Sequence, residues 1–256
     1  MADVAITGAA GNVGEETRAA LADDHDLTLV THRAYDDLDS TVLEIDDREA
    51  VADALAGQDV VVHLAANPSP DAAWDDVLGP NVDGTYAVYE AAVSGGVDRV
   101  VFASTNHVDQ YYNVADPARP ETMREDAVTV RPDDPVRPDS YYGVSKVAGE
   151  AMGSYYAGRH GIEVVNLRIG WLLTRAELAD LQEEDEAAAR YARVMWLSPR
   201  DCRDVVRRAV ESDLPESPLT VNAVSRNTER YLSLTETMRS IGYEPRDDSA
   251  EALAGD

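Results

Sequence analysis

Asp3-Val-Ala-Ile-Thr-Gly-Ala-Ala-Gly-Asn-Val-Gly14 stands at the start of the chain and decides its fold. Residues 3–7 read as a strand, and residues 11–23 open a helix. Between them Gly8, Gly11 and Gly14 form a G-x-x-G-x-x-G turn that also holds Asn12 and Val13. Glycines let a backbone turn sharply and approach a ligand closely. The helix start adds free N–H donors and the positive end of its dipole. Strand, glycine turn and helix in this order predict a site for a dinucleotide pyrophosphate.

The pattern continues outward from that turn. Apolar runs at 27–31, 41–45, 59–65, 99–104 and 162–168 alternate with helical patterns at 48–55, 81–94 and 140–159. Such alternation predicts an α/β doubly wound parallel sheet. Val60-Val61-Val62 reads as a strand buried on both faces. Two stretches break the regularity: 110–138, rich in Pro, Asp and Arg, reads as a long loop, and 176–189 as a charged helix. Insertions after strand ends are where ligands are recognised. A helix at 200–211, a strand at 219–224, a helix at 229–241 and a frayed end at 247–256 follow. Residues 1–170 form the expected nucleotide-binding core. Residues 171–256 form a small substrate-binding region with closing strand and helices in the same compact unit.

Composition narrows the function. Acids outnumber bases 49 to 22 in 256 residues, for a formal charge of −27. That sign disfavours nucleic acid and anionic membranes as partners. No apolar run is long enough to span a bilayer. The first residues are already a strand, not a secretion signal, which points to the cytoplasm. Cys202 is the only cysteine, so no internal disulfide is possible. The five histidines are scattered, and no metal site is expected. The acid excess is spread along the chain, as suits a protein working in high salt, where self-repulsion is screened within about 3 Å at 1 M.

Lys146 is the only lysine. A composition that otherwise uses arginine keeps a lysine only where a compact, titratable ammonium is needed. It lies four residues after Tyr142, on the same helical face. An ammonium beside a phenol favours the tyrosinate and makes it a usable base near neutrality. At the second strand's end stand Thr31, His32 and Arg33, where an acid would read an unphosphorylated ribose. Without that acid, and with an arginine close by, the strand end favours NADP over NAD. Asp46 and Asp47 follow the third strand, where a carboxylate can meet an adenine amino group.

These motifs together resemble an extended short-chain dehydrogenase/reductase, of the NAD-dependent epimerase/dehydratase type. The match runs over about residues 3–170, through Gly8/Gly11/Gly14, Leu64-Ala65-Ala66, Asn81-x-x-Gly84, Phe102-Ala-Ser-Thr105 and Tyr142-x-x-x-Lys146. Ser104-Thr-Asn-His107, Arg168-Ile-Gly170 and Met195-Trp-Leu-Ser-Pro-Arg-Asp201 are similar, more narrowly, to uronate dehydrogenases and haloarchaeal glucose-6-phosphate dehydrogenases. The resemblance implies a Rossmann-type fold and oxidation of a cyclic sugar at its anomeric carbon to a lactone. Tyr142 would then be the base, Lys146 its partner and a ribose ligand, and Thr105 the orienting hydroxyl. Leu64, Ala65, Ala66, Asn81 and Ile169 would face the cofactor, while Asn67, Ser69, Asn106 and His107 would face the sugar. A homodimer or homotetramer through the helices at 81–94 and 140–159 is also implied, with Ala91, Ala92, Val147, Ala148 and Ala151 in contact.

Two departures bear on the sugar. Trp171 stands where uronate dehydrogenases have serine, and Tyr191 matches their carboxylate-binding arginine in an ungapped count. Arg190 and Arg193 lie beside it. The expectation is a neutral aldose such as arabinose, bordered by Trp171, Tyr191 and Arg193. The alternatives are an anionic sugar (a uronate or glucose 6-phosphate) and an NDP-sugar epimerase or dehydratase.

Overall fold

The computed structural model describes residues 1–255. In chain order its elements begin with β1 (Asp3–Thr7), α1 (Asn12–Leu21), β2 (Asp26–Thr31), β3 (Thr41–Val42), α2 (Arg48–Leu55) and β4 (Val60–His63). They continue through α3 (Trp74–Val77), α4 (Gly84–Gly95), β5 (Arg99–Thr105), the pair β6 (Val114–Asp116) and β7 (Arg119–Met123), and α5 (Tyr141–His160). β8 (Glu163–Ile169), β9 (Trp171–Leu172), α6 (Arg175–Asp180), α7 (Glu186–Met195) and β10 (Trp196–Leu197) follow. α8 (Pro199–Glu211), β11 (Leu219–Ala223), α9 (Thr235–Ile241) and α10 (Ser249–Ala254) end the chain.

Seven strands form one parallel sheet in the order β11-β8-β5-β4-β1-β2-β3. Side chains alternate across it. Val60 and Val62 pack with Leu21, Val205 and Ala209 of α1 and α8. Val61 packs with Val51, Leu55 and Val88 of α2 and α4 on the other face. Both faces are covered, which is why the strands read as unbroken apolar runs. Strand order reverses between β1 and β4, and such a switch point opens a crevice at the strands' carboxyl ends. The register aligns Thr7 with His63, His63 with Phe102, and Thr105 with Ile169 along that edge.

Several expected elements differ in detail. The third strand keeps only Thr41–Val42, because it pairs at the sheet edge with just two residues of β2. The helix expected at 81–94 is preceded by α3 and a widened helical stretch, Leu78–Asp83. Pro80 sits in that stretch and lacks the N–H that a regular helix needs there. The expected loop 110–138 contains the antiparallel pair β6 and β7, closed by Asp116, which accepts a bond from Ala118 N–H. The charged helix expected at 176–189 is two helices. Thr174 caps α6 in a box with Glu177, and Asp185 caps α7. At the far end, α9 begins only at Thr235. The end expected to fray forms α10, capped by Asp248, with Ala252 and Leu253 packed against Leu178 and Trp196. Asp256, the last residue of that stretch, lies outside the described residues. No helix among the described residues is long and apolar enough to cross a membrane.

Candidate active site

A cavity of about 1620 Å³ lies at the switch point and extends over the ends of β1, β4, β5 and β8. Its first part is made of backbone. Gly8 has φ +71°, and a Cβ there would sit 2.8 Å from the Ala65 nitrogen. A Cβ on Gly14 would sit 2.4 Å from the Gly8 oxygen. Only hydrogen fits at either position, so the loop is drawn close under α1. Gly11 caps α1 with no side-chain hydrogen bond, leaving the helix N–H groups open to the cavity. Asn12, Val13, Thr31 and His32 line the same end, joined by Tyr35, Glu44 and Ile45. An uncapped helix start over a glycine cradle fits a dinucleotide pyrophosphate.

The floor is tied by a buried histidine. Thr7 Oγ1 accepts from the Leu64 and Ala65 N–H groups, both at 3.2 Å, and bonds His63 Nδ1 at 2.8 Å. His63 Nε2 lies 3.1 Å from Thr85 Oγ1, whose own proton goes to the Asn81 carbonyl. The network therefore assigns the ring proton to Nε2. Burial, helped by Lys146, pushes His63 down to about 3, so it stays neutral. Leu64, Ala65, Ala66 and Asn67, which follow it, line the cavity.

Tyr142 and Lys146 come from the first turns of α5, started by Ser140 accepting from Gly143 N–H at 3.1 Å. A Cβ on Gly143 would meet the His107 oxygen at 2.6 Å, so that glycine lets α5 pack against the turn after β5. Tyr142 and Thr105 line the cavity together. Burial pushes the phenol up to about 12, against the pull of Thr105. Lys146 is 2 % exposed, with Nζ 4.9 Å from the Phe102 ring centre and 5.9 Å from that of Tyr142. Burial lowers it to about 7. Among the described residues no group accepts a hydrogen bond from this ammonium, although it lines the cavity. A buried, unpartnered donor there fits the hydroxyls of a nicotinamide ribose. Ile169 and Gly170 border the same region.

Beyond Tyr142 the wall is built of side chains. His107 Nδ1 lies 2.9 Å from the Asp139 carboxylate, which is fully buried. His107 Nε2 lies 3.4 Å from the Tyr191 hydroxyl, and Asn106 Nδ2 donates to that hydroxyl at 2.7 Å. Trp171 meets the Tyr191 ring with centres 5.9 Å apart. Below, Arg168 pairs with Asp109 at 2.6 Å and with Glu150 at 2.8 Å, all nearly inaccessible, fixing the turn that carries Asn106 and His107.

Six expected site residues lie elsewhere. Asn81 is wholly buried and bonds the Asn67 N–H, the Asn67 carbonyl and Ser145, so it ties the loop after β4 to α5. Asp47 caps α2, and Asp46 is exposed beside Gly79. Ser69 turns on the Asn67 side chain, between two cavity-lining prolines. Arg33 is exposed, with its guanidinium 4.9 Å over the Tyr35 ring. Arg193 is held by Glu229, Glu186 and Gln182, and neighbouring Arg190 by the Met123 and Arg124 carbonyls. Asp139 was missed by the sequence reading, although it directly precedes the cap of the helix bearing Tyr142. Among the described residues no arginine lines the cavity. Its acids are Glu44, Asp71, Asp76, Glu121 and Asp139.

Known proteins are similar to this chain. L-arabinose 1-dehydrogenase (NAD(P)(+)) of Haloferax volcanii is 63% identical over 99% of this chain and all of its own length. NAD-dependent glucose-6-phosphate dehydrogenase of the same organism is 37% identical, over 97% of this chain and 94% of its own. Uronate dehydrogenase from Agrobacterium tumefaciens, a mutant complexed with NAD, superposes with a TM-score of 0.79 at 27% identity, covering 98% of this chain and 87% of that one. A family model matches residues 4–183, from the glycine turn through the Tyr142–Lys146 helix and beyond, and places the chain in the NAD dependent epimerase/dehydratase family.

Proposed function

We propose that this chain is an NAD(P)-dependent sugar 1-dehydrogenase that oxidises C1 of a neutral cyclic aldose, L-arabinose foremost, to its lactone. The observation that carries the reading is the composition of the cavity. Thr105, Tyr142 and Lys146 meet beside a wall of Asn106, His107 and Tyr191, and among the described residues no arginine faces them. A carboxylate or phosphate on the sugar would find no bidentate partner there, and acids would face it. The relative named for L-arabinose supports the same substrate.

Thr105 bonds the anomeric hydroxyl and orients it. Tyr142 takes the O1 proton once its own phenol, which burial raises, has been deprotonated, and the C1–O1 double bond forms as C1 loses hydride. NAD(P), held by the glycine turn and Lys146, would supply the nicotinamide as hydride acceptor. Lys146 holds the ribose and offsets the tyrosinate charge. Among the described residues that ammonium has no other partner. Gly8, Gly11, Gly14 and the start of α1 hold the pyrophosphate. Asn81 positions the loop after β4.

The enzyme is soluble in the cytoplasm and works at high salt, as its charge and its relatives in Haloferax volcanii suggest. It pairs through α5, where Val144, Val147, Ala148, Ala151 and Tyr155 make a half-buried to exposed stripe. Ala91 and Ala92, expected on that surface, face the core instead. The test is an aldose panel with uronates and sugar phosphates, assayed with NAD and NADP in molar salt. Turnover of a neutral pentose at least tenfold above any anionic sugar is expected. Preference for an anionic sugar refutes the substrate class, and epimerised product without NAD(P)H release refutes the reaction.

A further inference from the structure

The hydrogen bonds that join Asp139, His107, Tyr191 and Asn106 run in one fixed direction. We propose that this direction makes the Tyr191 oxygen an acceptor-only contact for one hydroxyl of the sugar, and that Asp139 sets it through His107. The inference rests on the aldose reading and adds a specificity residue, Tyr191, and a positioning residue, Asp139.

The direction follows from what each group can donate. A carboxylate only accepts, and Asp139 already accepts from Ser140 Oγ at 2.9 Å. His107 Nδ1, 2.9 Å from that carboxylate, must therefore carry a proton. With the ring proton on Nδ1 alone, Nε2 only accepts. Its neighbour at 3.4 Å is the Tyr191 hydroxyl, which spends its single proton on it. Burial pushes the Tyr191 phenol up, so the proton stays on the oxygen.

The other side of Tyr191 is fixed as well. Asn106 Nδ2 donates to its oxygen at 2.7 Å and to Gln110 Oε1 at 3.2 Å. Gln110 Oε1 also accepts from Tyr231 at 2.7 Å, so Asn106 and Tyr231 both donate to the same carbonyl oxygen. The Tyr191 oxygen has then used its proton and one lone pair. The remaining lone pair belongs to the cavity that Tyr191 lines. Trp171 against the ring holds its angle.

A sugar hydroxyl can donate to that lone pair. A deoxy carbon, a methyl ether, a carboxylate or a phosphate dianion cannot. Sites built to bond a hydroxyl reject the analogue lacking it far more strongly than apolar pockets reject a size change. The contact thus selects for a hydroxyl at one ring position, independently of the charge argument above.

The experiment uses the neutral aldose that the wild-type enzyme turns over fastest, together with its monodeoxy analogues. Discrimination is read as the ratio of kcat/KM values. Wild type should reject one analogue most strongly. Tyr191→Phe should lower kcat/KM for the parent sugar by about 10- to 100-fold and abolish discrimination at that position alone. Asp139→Asn lets an amide donate to Nδ1, moving the ring proton to Nε2. The same single ratio should collapse, mostly through KM. NADH or NADPH binding, followed by fluorescence, should be unchanged in both variants and reports an intact fold. If Tyr191→Phe leaves every ratio as in wild type, or weakens all alike, the inference is overturned while the aldose reading stands. If wild type oxidises no neutral aldose, both fall.

Discussion

The two ends of the cavity are built from different parts of the chain. At the glycine end, Gly8, Gly11 and Gly14 present backbone, and hydrogen is the only side chain that fits at Gly8 and Gly14. At the Tyr191 end, four side chains from the turn after β5, the approach to α5, and α7 bond one another across 85 residues. A backbone site depends on a conformation that few sequences adopt. A side-chain site depends on a network in which each member can be exchanged. The first suits a ligand common to a whole family, and the second suits one that differs between members. Tyr142 and Lys146 stand between the two.

Tyr142→Phe tests that middle position and should have the largest effect. Loss of the base should lower kcat by about 10²- to 10⁴-fold. Binding of NAD(P)H should stay near wild type, because the ring remains. Single-turnover kinetics with a fluorescence titration separate the two readouts. Near wild-type turnover would break the mechanism, and lost cofactor binding would place the hydroxyl in the glycine end's function.

Gly14→Ala attacks the backbone end. The new methyl meets the Gly8 oxygen and the Ala9 carbonyl, neither of which can swing aside. A clash of about 1–3 kcal/mol should weaken NAD and NADP alike, by about 5- to 100-fold in Kd. Discrimination among sugars should not change. If it shifts while cofactor affinity holds, the two ends are not separate in the way drawn above.

Lys146 sharpens the comparison through stability. Burial lowers its folded pKa to about 7, below the unfolded value near 10.5. Between those values the unfolded chain binds the extra proton, so stability is full above 10.5 and is lost as pH falls towards 7. Lys146→Met should remove this slope and raise stability near pH 7 by about 2–4 kcal/mol while abolishing activity. Cofactor-free denaturation from pH 7 to 10 measures it, and an unchanged slope would show that the ammonium is not strained.

Much of this was legible in the sequence, and the reason differs by region. The glycine turn, the Val60-Val61-Val62 strand and the Tyr142–Lys146 pair are local, so their spacing along the chain is their geometry. Asn81 was legible as important but not as a tie between two elements, since its partners Asn67 and Ser145 are 14 and 64 residues away. Arg193 shows the opposite error. Its place beside Tyr191 in sequence turns it to Glu186 and Glu229 on the outer side of α7. Asp139 carries no spacing signal at all, because its meaning comes from His107, 32 residues earlier.

Arg33→Ala should have the smallest effect, and it asks whether the glycine end contains any exchangeable side chain. Thr31 and His32 line the cavity where a 2′-phosphate would lie, and Thr31 stands at the strand end in place of an acid that would repel it. Arg33 stands just outside, stacked on the cavity-lining Tyr35. An exposed guanidinium in molar salt contributes less than about 1 kcal/mol to a phosphate. Arg33→Ala should therefore raise KM for NADP by at most about fivefold and leave NAD unchanged. The wild-type preference between the two should be correspondingly small. Steady-state kcat/KM with both cofactors at saturating sugar is the measurement. A loss above about 50-fold for NADP would mean that Arg33 leaves Tyr35 to grip the phosphate directly, so that this end too is tuned by a side chain.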